Sequence, residues 1–109
     1  QAGGIQSADE YLNPKYTMSL AKHFAAYGLT QGGINASPAD LSLQRLHEIY
    51  LAPWKAYTEA GGRGLMVAHN TINGVPCHGN PYLLQDVLRK QFNWTQGVTM
   101  SDANDIGVL

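Results

Sequence analysis

Gly64 to Asn70, GLMVAHN, is a short apolar run that breaks off on a polar pair. Gly61-Gly62 precede it and a turn-rich stretch, Asn70 to Asn80 (NTINGVPCHGN), follows. An apolar run of this length between turn formers reads as a buried strand. Gly64–Ala68 is therefore a predicted strand that ends at His69-Asn70.

The same pattern recurs on either side. Upstream, Tyr16 to Ala21 (YTMSLA) predicts a strand ending at Lys22-His23. Downstream, Gly97 to Met100 predicts another, ending at Ser101-Asp102. A glycine-rich connection, Gly28 to Asp40, leads to a helix expected to begin near Asp40, with Ser37 and Asp40 as candidate caps. Leu46, Tyr50, Pro53, Trp54 and Tyr57 fall on one face of it. Pro53 has no amide proton and should kink or restart that helix, and Gly61-Gly62 should stop it. Asn80-Pro81 fits the cap and first turn of a second helix, with Leu84, Val87, Leu88, Gln91 and Phe92 as its stripe. Gln1 to Pro14, rich in Gly and polar residues, reads as loop.

The order β-α-β-α-β, with continuous rather than alternating apolar strands, predicts a parallel sheet covered by helices on its outer face. Right-handed crossovers then carry all three polar strand ends to one edge, on neighbouring strands. In α/β barrels and doubly wound sheets that edge binds ligands. One polar strand end has a bland explanation. Lys22-His23 could mark a strand surfacing into solvent, His69 could be a core imidazole, and Asp102 or Asp105 could cap a helix. Three in succession favour a site.

Other features narrow the function. The chain has 109 residues, is 44% hydrophobic and carries a net charge of -1. That suffices for one modest core and offers no basic surface for nucleic acid and no cationic amphipathic stretch for a membrane. No apolar run approaches the roughly 18 residues of a membrane span. Cys77 is the single cysteine, so no disulfide can form within the chain. Its spacing from His78 and His69 fits no standard zinc pattern. Gly32-Gly33 lacks the rest of a phosphate fingerprint, and His47 reads as surface. Asn35-Ala36-Ser37 and Asn93-Trp94-Thr95 match the glycosylation tripeptide and lean toward a secreted or extracellular location. The six Tyr, two Trp and two Phe would suit sugar stacking but equally an ordinary core.

Taken together, KHFAAYG (Lys22 to Gly28), RLHEIYLAPWKA (Arg45 to Ala56), HNTINGVPCHGNPYLLQDVLR (His69 to Arg89) and SDANDI (Ser101 to Ile106) resemble the N-terminal domain of glycoside hydrolase family 3. That family includes β-glucosidases, β-xylosidases and related exo-acting enzymes. The resemblance runs from roughly Tyr16 to Leu109, with the strings in the family's order and spacing.

The resemblance implies part of a (β/α)8 barrel, about three of its eight strand–helix units. It implies a retaining β-glycosidase acting on terminal β-linked residues of a glycoside or oligosaccharide, without a cofactor. Asp102 matches the family's nucleophile, and Lys22 and His23 match the pair that hydrogen-bonds the sugar at the cleavage subsite. His69, counted with them as substrate-binding, stands where the family usually has Tyr, and Ala103 where many members carry Trp. If both Lys22 and His23 touch sugar, the backbone there should bulge, because successive strand residues face opposite ways. Lys22 is expected to favour the ionised form of Asp102. The remaining barrel, and a second α/β domain supplying the acid/base, are the implied partners within the whole protein. The string KHFAAYG differs from the KHFPGHG loop of the N-acetylglucosaminide branch, which is therefore not expected. Two other readings stay open: a barrel segment that binds sugar without cleaving it, and an unrelated small α/β domain that binds an anion.

Overall fold

The structure, a computed structural model, describes residues 17–109. Tyr16 and the Gln1 to Pro14 loop lie outside the described residues. Three strands, β1 (Leu20–Phe24), β2 (Gly64–Val67) and, last in the chain, β5 (Val98–Met100), form a parallel sheet in the order β1-β2-β5. Thr71–Ile72 (β3) and Val75–Pro76 (β4) pair as a separate antiparallel hairpin. A helical run of Leu43–Arg45, Leu46–Tyr50 and Ala52–Glu59 joins β1 to β2, and the Tyr82–Gln91 helix precedes β5. The expected β-α-β-α-β order is present.

The first strand runs further than expected, through Lys22 and His23 to Phe24. Phe24 is fully buried and pairs with Val67, and its carbonyl accepts from the Ala68 amide. Burying a Phe side chain contributes about 2–3 kcal/mol, enough to draw two polar residues into the strand ahead of it. The β1–β2 register passes from Lys22↔Met66 to Phe24↔Val67, so His23 has no partner and the strand slips there. This is the irregularity the Lys-His pair required. The Lys22–His23 and Phe24–Ala25 peptide bonds are cis.

The first helix starts later than expected. Ser42 is its cap, accepting the Arg45 amide at 3.2 Å, while Asp40 instead accepts from Gln31 Nε2. Winding widens over Leu46–Tyr50, where the Leu51 amide reaches the Leu46 carbonyl, and the helix restarts at Ala52 with Pro53 in its first turn. Pro53 itself is exposed, whereas Leu46 is buried and Tyr50 and Trp54 pack on the core. The chain leaves this helix through Gly61 at a φ of 87°, with the Gly62 amide returning to the Tyr57 carbonyl. Asn80 caps the second helix, its Oδ1 accepting the Leu83 amide. Leu83, Val87 and Leu88 are buried while Gln91 is exposed, so the inward stripe sits earlier than the sequence pattern placed it.

The core lies between the helices and one face of the sheet: Phe24, Leu46, Leu51, Leu65, Leu83, Val87 and Leu88 are all at or below 1% exposure. Helices were expected on the outer face, and they lie on one face only; the described residues leave the other open. Lys22, Met66 and Met100 stand in register on it, and Met100 is 47% exposed.

Candidate active site

Each polar strand end contributes one side chain to a shared cluster. His23 leaves β1 at the register slip, His69 follows β2, and Asp102 follows β5. Asp102 Oδ2 lies 3.4 Å from His23 Nε2, and Oδ1 lies 3.3 Å from His69 Nε2. The Asp102 side chain is only 14% exposed. Because β1, β2 and β5 are parallel neighbours, their C-terminal ends converge without any long loop.

The other member of each pair has a different task. Asn70 is fully buried and donates to the Ala25 and Thr71 carbonyls, stitching the ends of β1 and β2 together. Ser101 Oγ donates to the Asp102 carbonyl. Lys22 is exposed and forms no ion pair with Asp102 among the described residues. The alternation of strand side chains turns Lys22 onto the open sheet face, while the slip turns His23 to the strand end. The groups around the carboxylate are imidazoles.

Three contributors escaped the sequence pattern. Tyr27 stacks on His23 with ring centroids 4.6 Å apart, which fixes the imidazole plane. Asp105 accepts from His69 Nδ1 at 2.6 Å. His78 Nε2 accepts the Asp102 amide at 3.1 Å, and its Nδ1 lies 3.1 Å from Asp105 Oδ2. Asp105 is thus no helix cap: Asn104 occupies that position before the short turn Asp105–Val108, and no side chain caps it. Asn73-Gly74, both at positive φ, form the two-residue turn that folds β3 onto β4 and brings His78 back under Asp102. Asn-Gly is the strongest short hairpin signal, and it could have been read. His47 is not a free surface residue, since its Nε2 meets the Tyr82 hydroxyl at 2.6 Å and clamps the two helices.

A cleft of about 190 Å³, lined by His69, Thr71, Pro76, His78, Asp105 and Leu109, opens beside the cluster. A larger groove of about 570 Å³ runs along the helices near Leu51 and Phe92, away from Asp102. The chemistry, not the size, selects the former. Cys77, buried behind the cluster, has its thiol pushed up to about 11 by burial, with Asp105 adding to the effect and a hydrogen bond to the Ala25 carbonyl opposing it. Among the described residues no three His, Cys, Asp or Glu side chains converge as a metal-ligand set.

A carboxylate held at a rigid strand end, flanked by imidazoles that can each donate or accept, is suited to form or stabilise a bond at an electrophilic carbon. Comparison with known proteins gives the family context. Residues 3–109 match the model of the glycosyl hydrolase family 3 N-terminal domain. The chain is 41% identical over 97% of its length to a β-xylosidase of Formosa agariphila, covering 15% of that protein. It is 42% identical, again over 97%, to a periplasmic β-glucosidase of Salmonella typhimurium, covering 13% of it. A solved β-glucosidase from Erythrobacter marinus superposes with a TM-score of 0.89 at 39% identity, over 96% of this chain and 14% of that one. A β-glucosidase from Listeria innocua, solved in complex with glucose, superposes with a TM-score of 0.89 at 31% identity, over 96% of this chain and 15% of that one. The chain therefore spans roughly one-seventh of the length of these relatives.

Proposed function

The chain belongs to glycosyl hydrolase family 3, and from that premise we propose that it is a segment of a retaining β-glycosidase whose nucleophile is Asp102. The observation that carries the proposal is the convergence of Asp102, His23 and His69 at the ends of three adjacent parallel strands. The relatives bear the names β-xylosidase and β-glucosidase, and the solved neighbours that of β-glucosidase, which supports a β-linked pyranoside as substrate.

The three strands are proposed to be consecutive staves of a (β/α)8 barrel, with residues 1–109 lying inside that domain. The open sheet face supports this: Met66 and Met100 stand on it in register, and Met100 would be covered once the barrel closed. Strand β5, whose three residues are all exposed, would gain a neighbour in the same way.

In the first step an Asp102 oxygen bonds to the anomeric carbon as the bond from that carbon to the leaving oxygen breaks. The leaving oxygen takes a proton from an acid outside this chain, supplied by a second α/β domain. That group, now a base, deprotonates a water that displaces Asp102 and regenerates the carboxylate. Retention needs the two carboxyl groups about 5 Å apart. Lys22 and His23 bind sugar hydroxyls and hold the anomeric carbon at attack distance, while His69, its Nε2 3.3 Å from Oδ1, holds the Asp102 carboxylate. The exposed Asn35 and Asn93 of the two glycosylation tripeptides, and a relative named as periplasmic, support work outside the cytoplasm.

The test is mechanism-based trapping in the full-length protein. A 2-deoxy-2-fluoro β-glycoside with a good leaving group should label Asp102, found by peptide mapping, and Asp102→Asn should neither be labelled nor hydrolyse aryl glycosides. Labelling of another residue, or full turnover by the Asn variant, would overturn the proposal.

A further inference from the structure

We propose that Asp105 is a positioning residue for the nucleophile, acting through His69 on the side chain of Asp102 and through His78 on its backbone. The proposal rests on Asp102 being the nucleophile, as set out above.

Four polar contacts close a ring that begins and ends at Asp102. The Asp102 amide donates to His78 Nε2 at 3.1 Å. An amide can only donate, so Nε2 of His78 carries the lone pair and the ring proton sits on Nδ1. That Nδ1 lies 3.1 Å from Asp105 Oδ2, close enough for electrostatic attraction though not aligned as a hydrogen bond, and no other described residue donates to this buried oxygen. The other oxygen of Asp105 is 2.6 Å from His69 Nδ1. An ionised carboxylate can only accept, so His69 also carries a proton on Nδ1, and only its Nε2 remains to face Asp102 Oδ1 at 3.3 Å. One carboxylate thereby orients two imidazoles that approach the nucleophile from different sides.

The consequence is an asymmetry between the two oxygens of Asp102. Oδ1 accepts the Ala103 amide at 2.7 Å and faces His69 as well. Among the described residues Oδ2 has only His23, at 3.4 Å. Oδ1 is the anchored oxygen and Oδ2 the one free to reach carbon. The burial of the machinery fits a built device, with side-chain exposures of 13% for Asp105 and 4% for His78. Helix capping does not call for a carboxylate at 105, since the turn that starts there takes no side-chain cap among the described residues.

Asp105→Asn tests this in the full-length enzyme, because an amide offers one acceptor oxygen where two imidazoles need one each. Three quantities are compared with wild type: the second-order rate of Asp102 labelling by the fluoro glycoside, the dissociation constants of glucose and xylose, and the melting temperature. The labelling rate should fall about 10–100-fold, as expected for a misplaced reacting group. Sugar affinity should change less than about threefold. A labelling rate within threefold of wild type, or equal losses in labelling and in sugar affinity, would overturn the proposal. If the Asn variant does not fold, His78→Phe removes one arm at similar ring volume, with the same outcomes expected. Absence of the label from Asp102 in wild type would instead mean that the nucleophile assignment itself has failed.

Discussion

Nε2 of His23 stands 3.4 Å from Oδ2 of Asp102, where a residue of the first sheet strand meets the carboxylate that follows the last. With His23 placed by the register slip rather than by a loop, its imidazole is held beside the carboxylate, as the proposed contact with a sugar hydroxyl requires. A hydrogen bond to a charged or strongly polar partner contributes about 1.5–3 kcal/mol. His23→Ala in the full-length enzyme should therefore lower kcat/KM about 10–100-fold on aryl glycosides. A change under threefold in steady-state kinetics would show that His23 does not touch the substrate.

Tyr27 sets the plane of that imidazole by stacking on it. Aromatic pairs contribute about 0.5–1.5 kcal/mol beyond burial, or roughly two- to tenfold in rate when geometry is limiting. Tyr27→Ala should reduce kcat/KM by that factor, and Tyr27→Phe, which keeps the ring, should restore most of it. Equal loss in both variants would point to the hydroxyl instead.

How much of this was legible beforehand differs by element. GLMVA and the strand after Gly97 were readable because β2 and β5 begin close behind glycines and carry mostly apolar or β-branched side chains. The first strand was misplaced because its end is decided by the pairing of Phe24 with Val67, a partner distant in sequence. His23, His69 and Asp102 could be singled out because each closes an apolar run. Asp105 and His78 could not, since a His in a turn-rich segment and an Asp after Asn104 each have a local explanation. Only the fold of β3 on β4 brings His78 beneath Asp102. Lys22 makes no ion pair with Asp102 among the described residues for a related reason: strand alternation is simple to state, but which residue sits at a slip depends on the neighbouring strand.

Cys77 gives a pH-dependent prediction. Its thiol is raised from 9.0 to about 11 by burial, so the folded state holds its proton more tightly than the unfolded chain. The associated stability is fully present below pH 9.0 and is lost as pH rises through about 11, because the unfolded thiol ionises first. At about 1.36 kcal/mol per pH unit the loss reaches roughly 2–3 kcal/mol. Urea unfolding of the full-length protein between pH 8 and 10.5 should show this slope in wild type and not in Cys77→Ala. Iodoacetamide should alkylate Cys77 at pH 8 only in denaturant, as read by peptide mapping.

Gly62 tests how tightly the first helix is locked to the sheet. A Cβ at this position would run into the ring of Tyr57, whose hydroxyl donates to the Gly64 carbonyl at 2.7 Å and cannot retreat without losing that bond. The Gly62 carbonyl in turn accepts from Trp94 Nε1 at 2.6 Å, so the backbone is held from the other side as well. Overpacking of a site that cannot relax costs about 1–3 kcal/mol. Gly62→Ala should accordingly lower the melting temperature of the full-length protein by several degrees. Gly28→Ala, where a Cβ meets nothing within 4 Å, should leave it unchanged. Because Tyr57 and Trp94 grip the start of β2 rather than its end, the loss should appear in stability while kcat on aryl glycosides at 25 °C stays within about twofold of wild type. A large fall in kcat with an unaltered melting temperature would mean that the glycine serves the cluster around Asp102 and not the packing.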